Sequence, residues 1–160
     1  MGTRAFVGLG ANLDDPRAQL LRAFDELAQV PQTSLAARSS LWQSAPLGYA
    51  EQPPFVNAVA RLETDLPAET LLEHLQDIER AHGRVRSFNS APRTLDLDLL
   101  LFGNEVRTTP KLTLPHPRMH ERAFVLEPLL EVAPDVIIPG HGSARACLDA
   151  ARGQARARID

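Results

Sequence analysis

The sequence predicts an α+β domain in which helices pack on one face of a sheet. Three observations predict it: short apolar segments with period-two alternation, two segments with apolar residues at helical spacing, and breaks between them marked by proline or glycine. At 160 residues, with 44% hydrophobic and 23% charged residues, the chain suits a single domain, 1–160, with a core of its own.

Residues 4–11 read as a first strand, short and apolar. Asp14 or Asp15 caps the helix that follows, with Pro16 near its first turn. Leu20, Phe24, Leu27 and Ala28 keep helical spacing until Pro31 stops it. Residues 34–43 read as a second strand, although Ala36 and Ala37 are weak strand formers. Residues 44–54 carry Pro46, Gly48, Pro53 and Pro54 and are a loop. From 55 to 62, Phe55, Asn57, Val59 and Arg61 alternate with Val56, Ala58, Ala60 and Leu62, a third strand. Pro67 opens a second helix, with Leu71, Leu75 and Ile78 on the core side, and Gly83 ends it. A loop over 84–92 leads into a strand rich in leucine, and Asn104-Glu105 is a turn. Residues 108–117 are broken by proline and irregular, 121–130 form a short helix interrupted at Pro128, 143–151 form a closing helix, and 152–160 are a frayed tail. The order strand, helix, strand, strand, helix, strand is the ferredoxin-like βαββαβ arrangement, helices packed on an antiparallel sheet.

The stretch Leu95-Asp96-Leu97-Asp98-Leu99-Leu100-Leu101 puts two carboxylates inside a strand that otherwise reads as buried. Side chains two apart share a face, so Asp96 and Asp98 point the same way, roughly 6–7 Å apart. Like charges held together on a half-buried face need a counter-charge, an arginine or a metal. Oxygen-only ligands on a rigid strand suit Mg²⁺, which binds one or two protein carboxylates and phosphate oxygens. Arg84, Arg86 and Arg93 precede this strand, and the whole stretch 80–95 contains no acid. Guanidinium forks match phosphate oxygens, so a polyphosphate between the arginines and the aspartates would satisfy both; the bland alternative is a solvated basic loop.

Other features carry less. Gly8-Leu9-Gly10 lacks the third glycine of a dinucleotide fingerprint, Leu13 standing there, and reads as a tight strand-to-helix turn. His116 and His120 have no third ligand at zinc spacing, and His116 is either packing or a phosphate donor. Leu47, Phe55 and Asn57 would suit a flat heterocycle with a polar rim, though the segment also reads as plain connection. A net charge of −3 speaks against bulk nucleic-acid binding, and no apolar run reaches membrane-spanning length. The single Cys147 excludes an internal disulfide and suits a reducing compartment, so the cytoplasm is expected. Nothing demands more than a monomer.

Gly8-Leu9-Gly10-Ala11-Asn12-Leu13, Ala45-Pro46-Leu47-Gly48, Phe55-Val56-Asn57-Ala58, Gly83-Arg84-Val85-Arg86, Pro92-Arg93-Thr94-Leu95-Asp96-Leu97-Asp98 and Leu114-Pro115-His116 occur in the order found in a known family. Over residues 6–135 the chain resembles the 6-hydroxymethyl-7,8-dihydropterin pyrophosphokinases. The resemblance implies a ferredoxin-like enzyme of folate biosynthesis that moves the β,γ-pyrophosphoryl group of ATP onto the pterin hydroxymethyl oxygen and releases AMP. It implies that Asp96 and Asp98 hold two Mg²⁺ ions. Gln76, Glu79, Arg84, Arg93, His116 and Arg122 would contact ATP. Ser44, Leu47, Phe55, Asn57 and Phe124 would form the pterin pocket. Arg84, Arg93, Asp96 and Asp98 would carry catalysis, with the loop 84–92 closing over both substrates. The chain departs from the family where Ser44-Ala45 replaces a frequent Thr-Pro, and where Phe88 stands in a loop that often holds tryptophan. The alternatives are a non-catalytic nucleotide-sensing domain of the same fold and a phosphohydrolase that uses the aspartates to activate water.

Overall fold

Alternation along the first strand decides the layering. In β1 (Thr3–Ala11), Ala5, Val7 and Leu9 are buried toward one side and Phe6 toward the other, so the strand is central and covered on both faces. The computed structural model describes residues 2–44, 54–83 and 94–160.

Asp15 caps α1 (Pro16–Leu27), its carboxylate accepting the Ala18 N–H, with Pro16 at the first helical position. Leu20, Ala23, Phe24 and Leu27 bury the core face; Ala28, expected there, is the exposed C-cap. The second strand is two strands, β2 (Thr33–Arg38) and β3 (Trp42–Ser44). The break has a local cause: Ser39 donates its N–H to Val59 O and accepts the Val59 N–H on Oγ, which ends the ladder early. Glu131 then accepts from Ser40 N, Ser40 Oγ and Trp42 Nε1, holding the irregular segment from which the chain resumes pairing with β4.

β4 (Phe55–Thr64) alternates as expected: Val56, Ala58, Ala60 and Leu62 join one core, and Val59 the other. α2 (Ala68–Ala81) presents Leu71 and Leu75, with Ile78 beside them, and Gly83 follows it at φ +77°, the left-handed geometry that stops helices. β5 (Asp96–Phe102) follows. Residues 108–117, expected to be irregular, contain a small hairpin of β6 (Arg107–Thr108) and β7 (Thr113–Leu114). A 3₁₀ turn (Met119–Glu121) leads into α3 (Ala123–Val132), which passes through Pro128 without interruption. Proline costs one helical hydrogen bond, and the burial of Leu126, Leu129, Leu130 and Val132 outweighs it. β8 (Ile137–Ile138) and β9 (Gly142–Ser143) pair, and Ser143 caps α4 (Ala144–Ala150).

The tail is not frayed. β10 (Arg156–Arg158) pairs with β3, Ile159 N donates to Leu41 O, and Asp160 Oδ1 accepts the Leu41 N–H at 2.7 Å. An arginine-rich segment lacks the apolar pattern of a buried strand, but it suits a sheet edge, where charge discourages further pairing.

The main sheet runs β10-β3-β4-β1-β5, with β2 also on β4, and every pairing in it is antiparallel. The helices do not keep to one face. α1 and α2 cover the side of Val7, Leu62 and Leu99, while α3 and α4 cover the side of Phe6, Val59 and Leu100. No helix among the described residues is long and apolar enough to cross a membrane.

Leu62 is fully buried on a strand flanked by β1 and β2. Leu62→Ala is expected to lower unfolding free energy by about 2–5 kcal/mol in urea titration, the cost of a core cavity.

Candidate active site

Strand β5 ends the sheet, and its pleat sorts its side chains. Leu95, Leu97 and Leu99 are buried against α1 and α2, and Asp96 and Asp98 emerge half-exposed on the opposite face. The register extends that face across the sheet. Asp96 pairs with Gly10 and Gly10 with Asn57, while Asp98 pairs with Gly8 and Gly8 with Val59. Directly opposed residues share a face, so Asn57, Gly10 and Asp96 form one row spanning about 10 Å at the usual strand spacing. Trp42 extends the row on β3.

The two glycines lie within β1, not in a turn as their motif suggested. They give the row a floor without side chains. A Cβ on Gly10 would meet Asn57 Oδ1 at 3.3 Å, tighter than ordinary contact. Asn57 is buried and donates from Nδ2 to Ser44 Oγ at 2.6 Å, which turns its Oδ1 toward Gly10. Phe55 pairs with Ser44 at the end of β4 and is half-buried.

His116 and Arg122 come to the aspartates from the segment between β7 and α3. His116 N donates to Leu100 O at 2.9 Å, fastening that segment to β5. His116 Nδ1 accepts the Arg118 N–H at 3.2 Å, which leaves the ring proton on Nε2, facing Asp98 Oδ2 at 4.0 Å. Burial pushes His116 down to about 4, helped by the Arg122 and Arg118 charges and opposed by Asp96, so its imidazole is neutral at physiological pH. Arg122, the N-cap of α3, lies with its guanidinium 5.6 Å from the Phe124 ring centroid. Its Nε is buried without a hydrogen-bond partner among the described residues. Burial, then the Arg118 charge, lowers its pKa, against the pull of Asp98 and Asp96.

Glu79 is buried on α2, and its Oε2 accepts the Leu97 N–H at 2.7 Å. That N–H lies between the two aspartates, so α2 grips β5 where the carboxylates project. Gln76 sits exposed, three residues before Glu79 on the same helix. His120 stacks on His141, ring centroids 3.6 Å apart. Leu47, Arg84, Arg86, Phe88 and Arg93 lie outside the described residues.

Half-exposed paired carboxylates fit a hard cation that keeps water and ligand oxygens. Among the described residues no group of three His, Cys, Asp or Glu side chains converges on one point. The donor set therefore suits a cation shared with a bound anion better than a closed structural metal site.

Strand pairing, not local sequence, reveals the glycine floor and the Glu79 grip. A glycine at alternate positions of an apolar strand is the one sequence signal that points to the floor.

The family described as 7,8-dihydro-6-hydroxymethylpterin-pyrophosphokinase (HPPK) matches residues 6–134. The 2-amino-4-hydroxy-6-hydroxymethyldihydropteridine pyrophosphokinase of Pseudomonas aeruginosa is 51% identical over 136 residues, covering 85% of this chain and 84% of that protein. The enzyme of the same name from Haemophilus influenzae is 47% identical over 135 residues, with 84% of each chain covered. The one from Bacillus subtilis is 40% identical over 136 residues, 85% of this chain and 81% of that one. Among solved structures, wild-type Plasmodium falciparum HPPK-DHPS superposes with a TM-score of 0.71 at 12% identity, over 94% of this chain. The chain spans 45% of that longer protein, and the likeness concerns the fold alone.

The environment of His116 has a measurable consequence. In the metal-free protein its imidazole is expected to titrate near pH 4 by NMR, not near 6.5. The unfolded chain binds this proton at higher pH than the folded one, so His116 makes stability rise with pH between those two values. His116→Asn should flatten that part of the stability–pH curve relative to the parent chain.

Proposed function

The chain belongs to the 7,8-dihydro-6-hydroxymethylpterin-pyrophosphokinase family, and on that premise we propose that it transfers the β,γ-pyrophosphoryl group of ATP to the hydroxymethyl oxygen of 6-hydroxymethyl-7,8-dihydropterin, in folate biosynthesis. The row Asn57–Gly10–Asp96 carries this reading at the level of structure. It sets a buried amide at one end of an open floor and the carboxylate pair at the other, so a flat heterocycle held at Asn57 directs its substituent toward the aspartates.

In the reaction a bond forms between the hydroxymethyl oxygen and Pβ, and the bond from Pβ to the α-phosphate oxygen breaks. AMP leaves with that electron pair, and the hydroxymethyl proton passes to solvent water. Such a displacement needs in-line placement and dispersal of charge over phosphoryl oxygens. Asn57 and Ser44 orient the pterin by hydrogen bonds at its rim, with Phe55, Phe124 and Leu47 against its faces. His116 offers a protonated Nε2, and Arg122 a desolvated guanidinium, to phosphate oxygens of ATP. Arg84 and Arg93 add guanidinium donors from the segment ahead of β5. Gln76 contacts the nucleotide from the exposed side of α2, and Glu79 keeps β5 in place through Leu97 as well as bordering the ATP site. Asp96 and Asp98 would hold two Mg²⁺ ions. Bound there, magnesium would neutralise polyphosphate charge and make the hydroxymethyl oxygen more acidic. The same reading takes the chain as a cytoplasmic monomer.

The test supplies ATP, Mg²⁺ and reduced hydroxymethylpterin and follows AMP. AMP that appears only with pterin is expected. ADP or phosphate released without pterin would mark a phosphohydrolase, and nucleotide binding without turnover a sensing domain. Asp98→Ala should lower kcat by roughly a hundredfold or more, the scale of a lost transition-state charge stabiliser, with an unchanged circular dichroism spectrum. Asn57→Ala should raise the KM for pterin about tenfold, the worth of one buried hydrogen bond, and leave the KM for ATP in place.

A further inference from the structure

The segment after residue 134 lies outside the family match, yet it reaches the site. Helix α3 begins without a side-chain cap of its own. Its first N–H, that of Ala123, is instead taken by Gln154 Oε1 at 2.8 Å, from the turn between α4 and β10. The same carboxamide donates from Nε2 to Glu121 O at 2.7 Å. These two peptide groups flank Arg122. Gln154 thus clamps the backbone on both sides of one residue, at the junction where the 3₁₀ turn becomes α3 and Arg122 is extended, φ −114° and ψ 108°. The direction in which a side chain leaves the backbone follows from those angles. Here that side chain is a guanidinium whose Nε is buried and finds no partner among the described residues.

We propose that Gln154 is a positioning residue for Arg122, and that the C-terminal segment thereby sets the nucleotide side of the site. The inference rests on the pyrophosphokinase reading, in which Arg122 contacts ATP. Anchoring the tail is not what the carboxamide is needed for. The tail is already held by the β10–β3 ladder, by Arg156 Nη2 on Glu127 Oε1 at 2.7 Å, and by Ile159 and Asp160 on Leu41. Both Gln154 contacts go instead to the main chain around Arg122.

The experiment is a double-mutant cycle. Binding of Mg²⁺ with α,β-methylene-ATP is measured calorimetrically for the parent chain, Gln154→Ala, Arg122→Ala and the double variant, with pterin binding as the control. Gln154→Ala is expected to weaken nucleotide binding about tenfold, as for loss of a hydrogen-bonded constraint, and to leave pterin binding unchanged. In the Arg122→Ala background the same change should do nothing, because coupled residues are not additive. Should Gln154→Ala fail to fold, Gln154→Glu carries the same cycle: it keeps the acceptor for Ala123 but faces Glu121 O with a carboxylate, and a loss confined to the Arg122 background is again expected. Equal losses in both backgrounds, or no loss from either Gln154 variant, would overturn the proposal. A parent chain that binds no nucleotide would overturn the functional reading, and this inference with it.

Discussion

The site depends on two like charges being held on one face of a strand at the edge of the sheet. At the 6–7 Å set by the pleat, two carboxylates repel by roughly 2–3 kcal/mol at an effective dielectric near 20. Slipping β5 one residue would not part them, because positions two apart share a face in any register, and it would turn Leu97 and Leu99 away from α1 and α2 and carry both aspartates into the core. Each of those leucines contributes about 1.5–3 kcal/mol by burial, so the leucines decide and the carboxylates follow. The Glu79 bond to Leu97 N and the pairing with Gly8 and Gly10 fasten the strand from its two sides. The apolar pattern of β5 is therefore the device that keeps the charged pair together.

α3 and α4 cover the second face over Phe6, Val59 and Leu100, while Asp96 and Asp98, on the same face of the edge strand, remain half-exposed. The layer that the periodicity of residues 4–102 does not reveal is the one that delivers Arg122, and beside it Phe124, to the carboxylate face. Its residues, Leu126, Leu129 and Leu130, pack against Phe6, Val59 and Leu100, apolar side chains on strand positions that face away from α1 and α2. Phe6 and Leu100 are the sequence-level trace of the missing layer: large apolar groups on a face that a two-layer sheet would leave wet.

What was legible followed from backbone geometry alone. The alternation of 55–62 and of 95–99, the Asp15 cap and the Gly83 stop need no distant partner to be read. What was not legible depends on contacts remote in the chain. The break at Ser39 needs Val59, 20 residues on, and Glu131; helix α3 survives Pro128 because of what it buries; and β10, an Arg-Ala-Arg segment, is a strand only because β3 leaves an edge to fill. Within the site the same division holds. The carboxylate pair could be read from spacing. The Gly8-Leu9-Gly10 motif resembles a turn in sequence, but its meaning lies in the register that sets Gly8 and Gly10 against Asp98 and Asp96.

His116 and Arg122 both face the carboxylate pair. His116 Nε2 stands 4.0 Å from Asp98 Oδ2, longer than a hydrogen bond, and the Arg122 Nε has no acceptor among the described residues. Had Arg122 been free to bond Asp98 in a bidentate fork, an incoming polyphosphate would first have to break a charge-assisted contact, and the cation needed by the carboxylates would be displaced by a guanidinium. Keeping them apart demands that Arg122 be held by something other than its charge. The extended backbone between the 3₁₀ turn and α3, bracketed by a neutral carboxamide, supplies that hold with no counter-ion of its own. A neutral clamp at this position adds no anion that would compete with a polyphosphate for the Arg122 guanidinium, which is what a nucleotide-binding site requires.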